Sequence, residues 1–161
     1  MNKRRIFMEH RCCDGYLLGH SAESFVRQVL DGKNLEAVTS TFIIAEMSKS
    51  ILEVPVSIAL FRQKFTMLAP TVEDGLMALK LRKLLDDTPT PTWNGVRGKK
   101  PSPFDLLYLA SAINYGCEIL VTEDGWLKAL GDEAIARGLS KVKVTGISEA
   151  SEMLGFLFAS L

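Results

Sequence analysis

Residues 101–127, PSPFDLLYLASAINYGCEILVTEDGWL, decide the fold. From Phe104 to Tyr115 the leucines and alanines recur at helical spacing behind Pro103, and Gly116 supplies a stop. EILVT, residues 118–122, is a short apolar run of the kind that forms a buried strand. Asp124 follows at once and can cap the next helix, DGWLKALGDEAIARG. Helix, strand and helix in close succession belong to an α/β protein with a mostly parallel sheet.

The flanking sequence continues the alternation. On the amino-terminal side, Arg5 to Met8 reads as a short buried strand ending at Glu9, and SAESFVRQVLDG reads as an amphipathic helix with Ser21 as cap and Gly32 as stop. Leu35 to Thr41 is β-branched and strand-like, and Ser40 or Thr41 can cap the helix FIIAEMSKSIL. Pro55 interrupts before a further helical stretch to about Lys64, and Phe65 to Leu68 has β-like or buried-connector character. Thr71, Glu73 and Asp74 open a strong helix ending near Asp86. On the carboxyl side, VKVTG is a short strand and ISEASEMLGFLFASL a closing helix, with Met153, Leu154, Phe156 and Leu157 as an apolar stripe that packs on the core or meets a second subunit, the core being preferred. The expectation is a single three-layer α/β/α sandwich spanning residues 1–161, with the Pro- and Gly-rich segment 87–102 as an exposed loop insertion.

Composition narrows the function classes. The chain has 161 residues, 47% of them hydrophobic and 24% charged, as expected of a folded globular domain. Its 19 basic and 19 acidic residues cancel, so affinity for nucleic acid has to come from local charge arrangement. Neither G-x-x-x-x-G-K-[ST] nor G-x-G-x-x-G occurs, which removes the common nucleotide-binding signatures. Cys12, Cys13 and Cys117 lack metal-ligand spacing and read as reduced, buried thiols. The start MNKRRIFMEHRCC is too polar for a signal core or membrane span, so a cytoplasmic location is expected.

Four acids stand where strands end or helices begin: Glu9, Glu46, Asp105 and Asp124. In open α/β sheets, sites form in the crevice beyond the carboxyl ends of the strands. Several carboxylates gathered there repel one another unless a divalent cation neutralises them, and hard oxygen donors select Mg²⁺ or Mn²⁺. Such an ion polarises phosphoryl oxygens and acidifies bound water, which is the chemistry of phosphodiester hydrolysis. Each acid also has a plain structural reading: Asp105 and Asp124 suit helix starts, whereas Glu46 among Phe42, Ile43, Ile44 and Met47 is costly if that face is buried. Thr122 can bond a metal-bound water or the Asp124 backbone, and His10 can act as ligand or proton shuttle beside Glu9. Arg97, Lys99 and Lys100, with Trp93 nearby, can track a phosphate backbone and stack a base, or form a solvated loop.

Together these segments resemble the PIN domain family, whose pattern is an acid after the first strand, a glutamate in the helix after the second, and two later aspartates. Asp105, Thr122 and Asp124 in PSPFDLLYLASAINYGCEILVTEDGWL, and Glu46 in TSTFIIAEMSKSIL, carry the likeness. It extends from about residue 5 to 145. The first block departs from it: Glu9 and His10 stand where the family usually shows Asp followed by Thr or Ser. Asp14 is an alternative first acid, and Glu9 is preferred because Asp14 falls five residues beyond the strand.

The resemblance implies a VapC-like, Mg²⁺- or Mn²⁺-dependent endoribonuclease cutting single-stranded RNA, with Glu9, Glu46, Asp105 and Asp124 as catalytic metal ligands. It implies further an antitoxin partner and a homodimer. The competing expectation is a catalytically weakened PIN-like module that binds RNA or protein without cutting.

Overall fold

The computed structural model describes residues 3–19, 22–46 and 55–156. Five strands form one sheet: β1 (Arg4–Met8), β2 (Leu35–Ser40), β3 (Thr66–Leu68), β4 (Ile119–Val121) and β5 (Lys143–Thr145), in the order β3-β2-β1-β4-β5. Every neighbouring pair is parallel. Ile6 is in register with Ala37 and Ile119, and Phe7 with Val38 and Leu120. Strand residues alternate between the two faces of a sheet. Accordingly Ile6, Met8, Ala37, Ile119 and Val121 enter one core cluster, whereas Phe7, Val38 and Leu120 enter another. Both faces are covered, the arrangement that parallel strands require.

The first layer consists of α1 (His10–Leu18), α2 (Glu23–Asp31), α3 (Ile43–Glu46), α4 (Pro55–Lys64) and, at the carboxyl end, α8 (Ile147–Leu154). Cys12, Cys13, Phe25, Val26, Val29, Ile43, Phe61, Phe65 and Ala150 carry its core contacts. The second layer is α5 (Val72–Asp87), α6 (Pro103–Asn114) and α7 (Gly125–Ala136), which bury Leu81, Leu85, Leu109, Leu127 and Leu130 over Phe7, Val38 and Leu120. The result is a mostly parallel α/β/α sandwich. Helix α7 approaches β5 closely because position 131 is glycine: a Cβ there would stand 2.3 Å from Val144 Cγ2. Among the described residues no helix is long and apolar enough to cross a membrane.

Several sequence expectations are revised. Residues 10–18, given no element from sequence, form α1; its weak apolar periodicity hid a helix that buries Cys12, Cys13 and Gly15. Ser21 lies outside the described residues, and Ala22, at the cap position of α2, supplies no side-chain bond. Of the helix expected over FIIAEMSKSIL, Ile43–Glu46 is seen and residues 47–54 lie outside the description. Segment 87–102 is not uniformly exposed. It contains a 3-10 turn, Thr90–Trp93, and buries Thr88, Trp93 and Pro101. At the carboxyl end Phe156 packs edge-on against Phe25, Met153 is exposed, and Leu157 lies outside the described residues.

The three cysteines are free and buried. Burial pushes the Cys117 thiol up to about 12, partly offset by the positive charge of Arg5, and raises Cys12 and Cys13 as well. An unfolded thiol ionises near pH ~8.5. The folded Cys117 keeps its proton where the unfolded chain releases it. Its contribution to stability is therefore complete below that pH and falls as pH rises toward about 12. At pH 8 the folded chain should leave all three thiols unreactive toward a disulfide reagent while the urea-unfolded chain titrates all three; rapid native labelling of Cys117 contradicts this packing.

Candidate metal centre at the carboxyl rim

The chain winds outward from β1 through β2 to β3, then crosses back to place β4 on the other side of β1. The switch point lies between β1 and β4, and in open α/β sheets sites form beyond the strand ends at such a point. By alternation, the residues after Met8 and Val121, namely Glu9 and Thr122, continue the faces of Phe7 and Leu120, over which α6 lies. The two are bonded: the Thr122 hydroxyl donates to Glu9 Oε2 at 2.9 Å. Glu9 Oε1 accepts the Arg11 N–H at 2.9 Å, which makes Glu9 the cap of α1, and the residue is 3% exposed. The backbone is tied too, with Glu9 N–H donating to Val121 O at 3.3 Å.

Glu46 joins from α3. Its Oε2 accepts the hydroxyl of Tyr108, which reaches over from α6. His10 Nδ1 lies between the two glutamates, 3.6 Å from Glu9 Oε1 and 3.6 Å from Glu46 Oε2. That nitrogen is buried and makes no hydrogen bond. Tyr108 is fully buried, and its phenol pKa is raised first by burial, then by the bond and charge of Glu46 and the charge of Glu9. The hydroxyl is thereby kept as a donor. Sequence reasoning missed Tyr108, although its place three residues after Asp105 puts both on one side of α6.

Asp124 and Asp105 take different positions. Asp124 caps α7, its Oδ1 accepting Leu127 N–H at 2.8 Å, while its own N–H donates to Thr122 Oγ1 at 3.0 Å. Asp105 forms a capping box with Ser102: Oδ2 accepts Ser102 N–H at 2.7 Å and Asp105 N–H donates to Ser102 Oγ at 3.2 Å. Each cap engages one carboxylate oxygen. Asp14 lies within α1, one helical turn beyond His10. The structure thus brings Glu9, His10 and Glu46 together, with Thr122 linking Glu9 to the start of the Asp124 helix; Asp105 heads the helix that carries Tyr108.

Arg97, Lys99 and Lys100 are exposed on a loop pinned to the first turn of α7, where Trp126 Nε1 donates to Gly98 O at 3.2 Å. The basic loop therefore adjoins Asp124. Trp93 is only 8% exposed and packs on Trp126 with ring centroids 5.7 Å apart, so it serves the core and is not free to stack on a base.

The donors at this rim are carboxylates, the chemistry that suits a hard divalent cation. The fit rests on Glu9 and Glu46, whose carboxylates each stand 3.6 Å from the buried His10 Nδ1, an atom with no hydrogen-bond partner. Among the described residues, no three acidic, histidine or cysteine side chains stand as a preformed ligand cluster. Replacing Thr122 with Val should cost about 1–3 kcal/mol, because it strips a bond from a buried carboxylate; urea unfolding measures this, and a cost below about 0.5 kcal/mol would show that Thr122 does not hold Glu9.

No family model matches the sequence, and no curated protein resembles it in sequence. Solved structures do share its fold. VapBC2 from Rickettsia felis, bound to a DNA fragment from their promoter, aligns with a TM-score of 0.59 and 14% identity over 88% of this chain and 98% of that one. DNA-bound VapBC from Salmonella typhimurium gives 0.54 and 12% over 91% and 99%. Mycobacterium tuberculosis VapC20, a sarcin-ricin loop cleaving toxin, gives 0.53 and 15% over 78% and 95%. At these identities the likeness concerns architecture, and the architecture of this chain is the PIN-like α/β/α fold of VapC structures.

Proposed function

We propose that this chain is a divalent-metal-dependent endoribonuclease that cuts single-stranded RNA, the toxin of a toxin-antitoxin pair acting in the cytoplasm, with residues 1–161 as one domain and 87–102 as an insertion in it. The observation that carries the reading is the meeting of Glu9 and Glu46 around His10 at the switch point of the sheet. The resemblance of the acidic pattern to PIN domains and the shared fold with a toxin that cleaves the sarcin-ricin loop support it.

Glu9 and Glu46 would hold Mg²⁺ or Mn²⁺, with Asp105 and Asp124 adding oxygens that their caps leave over. When bound, the ion supplies polarisation of a phosphoryl oxygen and a water of lowered pKa. Thr122 keeps the Glu9 carboxylate aimed at the rim, and Tyr108 does the same for Glu46. Arg97, Lys99 and Lys100, held beside Asp124, would pair with phosphates on either side of the cut, an interaction that weakens as salt rises. His10, closest to both glutamates, is placed to shuttle a proton or to serve as a further ligand.

A second reading has its own observation. Asp105 and Asp124 are engaged as caps and His10 spans the glutamates, as expected of a module that binds RNA or a protein partner with catalysis weakened.

Cleavage of a labelled single-stranded RNA separates the two. The nuclease reading expects cutting in Mn²⁺ or Mg²⁺, abolition by a chelator, and a loss of at least about a hundredfold in Glu46→Gln and Asp105→Asn, each with an unchanged circular-dichroism spectrum. RNA binding without cutting in any divalent ion would establish the second reading in its place.

A further inference from the structure

The segment 87–102 is anchored at both ends and again in its middle. At one end the Thr88 hydroxyl donates to Leu84 O at 2.6 Å, and at the other Ser102 forms its capping box with Asp105. The middle is held by the start of α7. Trp126 Nε1 donates to Gly98 O, and the Trp126 ring packs on that of Trp93. Gly125, the residue after Asp124, also meets the loop: a Cβ there would stand 3.4 Å from Arg97 O and 4.0 Å from Val96 Cγ1. Of the two packed indoles, Trp93 is buried with its Nε1 unbonded, so the bond to the loop falls to Trp126. Gly95 and Gly98 have φ of 84° and 102°, a region that residues with a Cβ enter only with strain, and they bend the chain on either side of Val96 and Arg97. The carbonyl that Trp126 grips thus lies among Arg97, Lys99 and Lys100, all exposed.

We propose that Trp126 is a positioning residue for the nucleic-acid strand: by gripping Gly98 it fixes Arg97, Lys99 and Lys100 in one arrangement beside Asp124. The cations then meet backbone phosphates next to the rim without first being ordered. A loop detached from α7 would carry the same charge but give up its freedom at each encounter, which lowers affinity. The indole acts through the loop. This proposal rests on the reading above that the basic loop pairs with RNA, and it holds whether or not the chain cuts.

Fluorescence anisotropy with a labelled single-stranded RNA, at low salt and without divalent ions, tests it on the full chain. Trp126→Phe keeps a ring against Trp93 and removes the donor. It should raise Kd about three- to tenfold with unchanged circular dichroism, and should speed trypsin cleavage after Arg97 and Lys99. The triple change Arg97→Ala, Lys99→Ala, Lys100→Ala should weaken binding further, and adding Trp126→Phe to it should have no effect. Where RNA is cut, KM should rise in Trp126→Phe and kcat stay as it was. An unchanged Kd in Trp126→Phe, a triple change that binds like the wild type, or an equal loss with and without the three cations overturns the proposal. A wild type that binds no RNA overturns it together with the RNA reading. Binding that depends on Trp126 and the cations, with no cutting in any divalent ion, removes the nuclease reading and upholds this one.

Discussion

Glu9 follows β1 and is buried, and a charge at that depth is tolerated only where polar groups reach it. Arg11 N–H and the Thr122 hydroxyl do so, one to each oxygen. The second bond has the wider effect, because the same Thr122 oxygen accepts Asp124 N–H and so joins the end of β1 to the start of α7 across β4. The rim is thus fixed by a bonded chain of Arg11, Glu9, Thr122 and Asp124, and beside it His10, the residue after Glu9, stands near Glu46, which Tyr108 holds.

Topology explains why these residues meet. Because the strands are parallel and the chain reverses its winding between β3 and β4, the carboxyl ends of β1 and β4 are neighbours although Glu9 and Thr122 are 113 residues apart in sequence. Alternation then directs both toward the α6 layer. There Tyr108 is buried enough that its hydroxyl stays protonated and can only donate toward Glu46. Carboxylates thereby collect along one rim of the sheet, and such oxygen donors are the chemistry that suits a hard divalent cation.

Much of this was legible in the sequence. β1, β2, β4 and β5 and helices α2, α5, α6 and α7 announced themselves through apolar periodicity and caps such as Thr71 and Asp124. What stayed hidden depended on tertiary packing. Helix α1 has little periodicity and is held by the burial of Cys12 and Cys13 against the sheet. Trp93 looked exposed in a loop of prolines and glycines, yet the core at Trp126 draws it in. At the site, the acid positions were readable, and the helix-start reading of Asp105 is realised as a capping box with Ser102, which S-x-x-D before an apolar run announces. Tyr108 was invisible because only its contact with Glu46, 62 residues away, gives it meaning.

The claim at the centre of this account is that Glu9 and Glu46 form the seat of a divalent ion, and calorimetric titration of Mn²⁺ into the folded chain, beside Glu9→Gln and Glu46→Gln, addresses it directly. The account predicts saturable binding by the wild type that both substitutions abolish while the fold persists. A wild type that takes up no Mn²⁺, or whose binding survives both substitutions, would contradict it.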